Sequence, residues 1–150
     1  MDAIDLAMLK LLQKNARISL SEISGQINLS LPSVSERLRK LEKSGVIEGY
    51  TVKLNPDKFD RNLWCYCFIV MKDKNAHSDD AFLQFIAGEP DILECHCITG
   101  DYEYLLKIAT KSTKELERLL ARLREQFPVV RSNTVTVLST IKDADLCLPE

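Results

Sequence analysis

The chain has 150 residues, room for one ordinary domain or two small ones, and its 45% hydrophobic content excludes a disordered polypeptide. Its formal net charge of −2 argues against a uniformly basic polyanion binder, but residues 1–55 carry eight Lys/Arg against six Asp/Glu while residues 56–150 carry twelve against sixteen. The first third is therefore the better candidate for phosphate contact. No run of eighteen apolar residues is present, so no membrane span or membrane partner is expected. The start Met-Asp-Ala-Ile-Asp is acidic where a signal peptide is basic. Five cysteines, an odd number, sit within apolar strand-like text, and reduced thiols in a cytoplasmic protein are the expectation.

In chain order, the first element is a helix from Asp2 or Ala3 to Lys14, with Ile4, Met8, Leu11 and Leu12 at helical period. Its acids come early and its lysines late, which suits the helix dipole. Ser19-Leu20-Ser21-Glu22 then forms a capping-box pattern, with Ile18 and Ile23 at the staple positions. Asn28 follows where the chain must turn, because Asn tolerates the left-handed conformation of a helix C-terminus. Ser30 caps the third helix and Pro32 lies in its first turn, where a missing N–H costs little. Val34, Leu38 and Leu41 form its buried stripe, and Gly45 stops it. Val46 to Leu54 is strand-like, in the place of a wing.

Two helices around a tight turn, the second with a basic outer face, predict a winged helix-turn-helix that lays that second helix in the major groove of double-stranded DNA. The outer face holds Pro32, Glu36, Arg39, Lys40 and Lys43, flanked by Ser33 and Ser35. Ser30, Pro32, Ser33 and Ser35 are small enough to let the backbone approach base edges. Arg39 is the candidate for direct readout, since a guanidinium grips the two major-groove acceptors of guanine. Arg37, on the flank of the wheel, suits phosphate, as do Lys40 and Lys43. Glu36 either accepts from cytosine or pairs with Lys40 at i+4, and the pairing is favoured. The plain alternative is a charged solvent face with no ligand.

The polar stretch 53–62, with Pro56, reads as a linker between a 1–52 DNA-binding domain and a second domain over 63–142, with 143–150 as a tail. Leu63–Met71 reads as a strand, Asp79–Ala87 as a helix, Ile92–Thr99 as a strand, Gly100-Asp101 as a turn, and Tyr104–Ala109 as a strand. Ser112–Gln126 reads as a helix and Val130–Ile141 as the last strand. The order βαββαβ matches a ferredoxin-like antiparallel sandwich with helices on one face, so the fold class is α+β. The open sheet face requires cover, and a homodimer through this half is expected.

With these motifs in order, the chain resembles the Lrp/AsnC family, the feast/famine transcriptional regulators, from about Asp2 to Lys142. The carriers are Asp2-Ala-Ile-Asp-Leu, Ala16-Arg-Ile-Ser, the run from Leu29 through Ser-Gly-Val-Ile-Glu-Gly to Tyr50, Cys95-His-Cys-Ile-Thr-Gly-Asp-Tyr-Glu-Tyr-Leu-Leu-Lys, and Val135–Lys142. The resemblance implies a RAM-type second domain for ligand sensing and oligomerisation. Dimers would associate further, often to octamers, with a small effector, commonly an amino acid, between dimers. No other cofactor is implied.

The matching effector positions are Ile98, Gly100, Asp101, Tyr102, Glu103 and Tyr104, facing Thr134 and Thr136 of the last strand. Gly100 permits an unusual backbone, nearby N–H groups can hold a carboxylate, and Asp101 or Glu103 can hold an ammonium. The alternative is a plain turn between strands. Two positions depart from the family: Asn28 replaces the usual turn glycine, and Glu103 stands where aspartate is more usual.

Three other readings compete. Cys65, Cys67, Cys95, His96 and Cys97 suggest a metal or redox sensor, but the first two strands are not neighbours in the expected sheet, and no metal site is expected. Enzyme motifs are absent and only His77 and His96 are available as neutral-pH bases, so no catalysis is expected. A DNA-compacting protein with little sequence preference is the remaining alternative.

Overall fold

The computed structural model describes residues 1–55, 58–72 and 76–142, the side chains of 76–79 excepted. The expected boundary proline Pro56, the side chain of His77 and the tail 143–150 lie outside the described residues. The chain divides into two compact units, Met1–Lys53 and Leu54–Lys142.

The first unit holds α1 (Ala3–Lys14), α2 (Leu20–Ile27) and α3 (Leu31–Lys43). Each start is fixed by a side chain that accepts an orphan backbone N–H. Asp2 and Asp5 form a reciprocal capping box on α1, and Ser19 and Glu22 form one on α2. Ser30 caps α3 by accepting from the Ser33 N–H. Met8, Ile23 and Val34, one from each helix, are fully buried together, and Ile18, Ile27, Leu29 and Leu38 pack around them. Residues 46–54 carry no strand. A lone strand has no ladder to join, and the Val46 and Ile47 N–H groups instead return to the Leu41 carbonyl at 3.0 and 3.1 Å.

The second unit holds β1 (Leu63–Met71), α4 (Ala76–Gly88), β2 (Ile92–Cys97), β3 (Tyr104–Thr110), α5 (Thr113–Gln126) and β4 (Val129–Thr136). The sheet order is β2-β3-β1-β4, all antiparallel, which is the ferredoxin-like arrangement. On one face Cys65, Cys67, Ile69, Leu106 and Ile108 pack against Phe82 and Ile86 of α4 and Leu119 and Leu123 of α5. The alternate residues of β1, Trp64, Tyr66 and Phe68, stand on the opposite face, beside Leu105, Lys107 and Val135 in register. β4 stops at Thr136, short of the expected Ile141; β1 begins at Leu63, opposite Leu138 in this register, so 139–141 have no partner on it. Past the last ladder bond, Val137 N–H to the Trp64 carbonyl at 2.8 Å, Leu138 and Ile141 are exposed.

Candidate nucleic-acid interface and effector loop

The turn into α3 is a left-handed residue held from both sides. Asn28 sits at φ 54°, ψ 45° and donates its N–H to the Ser24 carbonyl. The Ser24 hydroxyl donates to the Leu29 carbonyl, and the Leu29 N–H returns to the Ser24 carbonyl at 3.2 Å. This fixes the direction in which α3 leaves, and with it the solvent face on which Ser30, Pro32, Ser33, Ser35, Glu36, Arg39, Lys40 and Lys43 are all exposed.

Arg37 has partners other than those expected, and Glu36 has one beyond the expected Lys40. Arg37 is half-buried, and its Nη1 donates to Asp2 at 2.8 Å and Asp5 at 2.7 Å. The flank of the helix that carries it faces α1, so the guanidinium expected on phosphate is paired with the two acids at the start of that helix. Glu36 pairs chiefly with Arg39, accepting from Nε at 3.1 Å and Nη2 at 2.9 Å, while Lys40 lies 3.7 Å away. Hydrogen bonds and charge from Arg39, with a smaller contribution from Lys40, hold the Glu36 carboxyl below its ordinary range. Beyond the helix, the Tyr50 hydroxyl donates to Glu42 at 2.8 Å and ties the following segment back to α3.

In the second unit, the β2–β3 connection brings Ile98, Gly100, Asp101, Tyr102, Glu103 and Tyr104 into one loop. The Ile98 N–H donates to the Glu103 carbonyl at 2.8 Å, and the Glu103 N–H to the Ile69 carbonyl at 2.9 Å. Gly100 takes φ 112°, a conformation that side chains rarely adopt. The Glu103 carboxylate accepts the Met71 N–H at 3.0 Å, so it serves the end of β1. Asp101 is exposed, and its carboxylate has no partner among the described residues.

A residue that the sequence reading missed organises the loop. Arg131 of β4 donates to the Asp101 carbonyl at 2.6 Å and lies over the Tyr102 ring at 4.6 Å. Tyr102 in turn stacks at 5.3 Å on Phe68. Thr134 and Thr136, expected to face the loop, do not meet it within one chain. They pair with Cys67 and Cys65 further along β1, and the Thr136 hydroxyl is 3.7 Å from the Cys65 sulfur.

A family model described as Lrp/AsnC ligand binding domain matches residues 65–146, and one described as winged helix-turn-helix DNA-binding matches residues 1–48. The chain belongs to the Lrp/AsnC family. It is a DNA-binding transcriptional regulator. The leucine-responsive regulatory protein of Salmonella typhimurium is 36% identical over 149 residues, covering 97% of this chain and 89% of that protein. Among solved structures, a Neisseria meningitidis transcriptional regulator in complex with L-methionine is 26% identical with a TM-score of 0.90, covering 96% of this chain and 94% of that one. The feast or famine regulatory protein of Mycobacterium tuberculosis, complexed with L-methionine, is 29% identical with a TM-score of 0.88, covering 99% of each chain.

In this Lrp/AsnC chain the four cysteines among the described residues do not gather. Cys65 and Cys67 are buried under the helices, Leu106 of β3 stands between Cys67 and Cys95, and Cys97 is exposed at the sheet edge. Burial pushes the Cys67 and Cys95 thiols up. His96 faces the other way and meets Glu94 at 3.0 Å. Among the described residues no three His, Cys, Asp or Glu side chains could hold a metal ion, and no helix is long and apolar enough to cross a membrane.

Proposed function

We propose that this regulator reads imperfect palindromes in double-stranded DNA with α3 and responds to an amino acid or related small effector held at the 98–104 loop. The observation that carries the DNA half of the reading is the exposed face of α3. It presents Arg39, Lys40 and Lys43 behind a Ser-Leu-Pro-Ser start, on a helix whose exit angle is fixed at Asn28. Arg39 reads bases, Lys40 and Lys43 contact phosphate, and Ser30, Pro32, Ser33 and Ser35 allow close approach.

The protein acts as a homodimer or a larger assembly such as an octamer, in the cytoplasm, and as a regulator rather than an enzyme. The open sheet face of Trp64, Tyr66, Phe68, Leu105 and Val135 supports the dimer, because a half-covered aromatic face gains by burial against a second copy. Asp101 and the N–H groups beside Gly100 suit the ammonium and carboxylate of an amino acid, and Thr134 and Thr136 complete the site from another copy. Effector binding then shifts the assembly and hence which half-sites are engaged together.

The test is selection of bound fragments from genomic DNA with and without a mixture of amino acids. Enriched promoters that shift with the mixture are the expected result. Enrichment that ignores the mixture would remove the effector half of the proposal, and uniform binding of all fragments with a steep salt slope would make the protein a DNA-compacting one.

A further inference from the structure

We infer that Glu36 is a positioning residue that holds the Arg39 guanidinium in the orientation needed to read guanine, without itself contacting DNA. The inference rests on the reading of α3 as the recognition helix and of Arg39 as its base-reading side chain, and it adds a role for the one acid on that face.

The geometry supplies the reason. Glu36 accepts from Arg39 through Nε at 3.1 Å and Nη2 at 2.9 Å, the side-on fork of a guanidinium. A guanidinium has five N–H donors in one plane. The side-on fork uses Nε–H and one Nη2–H, which leaves both Nη1 hydrogens and the second Nη2 hydrogen. One Nη1 hydrogen and the second Nη2 hydrogen form the end-on fork, and guanine offers O6 and N7 to such a pair in the major groove. The two partners therefore occupy different edges of one planar group and do not compete. Arg39 is 62% exposed and would otherwise sample many rotamers, whereas the fork to a residue one helical turn earlier fixes both its plane and its reach. Lys40, with its single point charge 3.7 Å from the same carboxylate, neither needs nor gains a planar orientation there.

The arrangement has a second consequence of opposite sign. Glu36 is 47% exposed and places a negative charge on the face that approaches phosphates. It must weaken binding to every sequence while sharpening discrimination at the guanine that Arg39 reads. A surface ion pair alone would do the first and not the second.

The experiment uses the full-length protein on a selected operator, with each base pair of the half-site substituted in turn and random DNA as reference. Arg39→Ala first locates the base pair that Arg39 reads. Glu36→Gln and Glu36→Ala are then expected to bind random DNA more tightly. At that base pair they should lose about three- to tenfold of the roughly ten- to hundredfold preference that a bidentate arginine–guanine pair provides. In the Arg39→Ala background, Glu36→Ala should change no base preference. A uniform gain across all sequences would overturn the positioning role. Loss of preference at a different base pair, persisting without Arg39, would make Glu36 a direct reader. No change in base preference from Arg39→Ala would overturn both the inference and the reading beneath it.

Discussion

Arg37 of α3 donates through Nη1 to the Asp5 carboxylate of α1 at 2.7 Å, joining residues 32 positions apart. The same nitrogen reaches Asp2 at 2.8 Å, so one guanidinium serves both acids of the capping box that starts α1. The ion pair thus links the start of the first helix to the helix proposed to enter DNA. Arg37→Ala and Asp5→Asn are each expected to lower the thermal midpoint of the first unit by roughly 2–6 °C, with little further loss in the double variant. The salt slope of DNA binding should stay unchanged. A slope reduced by about one, with stability intact, would return Arg37 to the phosphate contacts.

Acid should loosen the same unit. The Asp5 N–H, and after it Arg37, hold the Asp2 carboxyl below its ordinary range, and the Ser19 N–H and hydroxyl do the same for Glu22. Carboxyls lowered on folding contribute stability that is fully present above about pH 5 and is lost as pH falls through and below about 4. Helix content followed by circular dichroism against pH should therefore be flat from neutrality to about pH 5 and decline below it. Asp2→Asn with Glu22→Gln should flatten that decline; an unaltered profile in the double variant would assign it to other groups.

At Asn28 the backbone, not the side chain, carries the turn. Its φ of 54° suits glycine without strain and asparagine with little, whereas a β-branched side chain there costs about 1–2 kcal/mol. Asn28→Gly is expected to be neutral or stabilising by up to about 1 kcal/mol, and Asn28→Val to destabilise by about 1–2 kcal/mol. Amide exchange at Met8 and Ile23 reports on the first unit directly. Equal protection in both variants would mean that the turn is not what sets α3 in place.

These elements differ in how far they could be read from the residues alone. Ser19–Glu22, Asn28, Ser30 and the Val34–Leu38–Leu41 stripe are local signals, each acting within one or two helical turns, and they place α2 and α3 correctly. The partner of Arg37 is set by packing between helices, and the helical wheel leaves that position on the boundary between solvent and core. Val46–Leu54 has strand-forming residues, but a strand needs a ladder and this segment joins none in one chain, while 139–141 lie past the start of β1. Arg131 was invisible for another reason. It acts on a main-chain carbonyl, which leaves no mark in the sequence. Thr134 and Thr136 were placed by resemblance, and in a single chain they lie along β1 away from the loop.

Arg131 is where the loop can be tested apart from DNA. Its guanidinium satisfies the Asp101 carbonyl and covers the Tyr102 ring, which rests on Phe68. Arg131→Ala removes a charge-assisted hydrogen bond and a cation–π contact together, while the backbone bonds at Ile98 and Ile69, the Glu103 carboxylate on the Met71 N–H and the Tyr102–Phe68 contact remain. Amide exchange across 99–103 should quicken by roughly three- to tenfold. Any effector response should weaken, while affinity for DNA without effector stays as it was. Arg131→Lys, which keeps the charge but not the plane, should fall between the two. If exchange in Arg131→Ala matches the parent, the loop is held without Arg131, which then has no part in shaping the site.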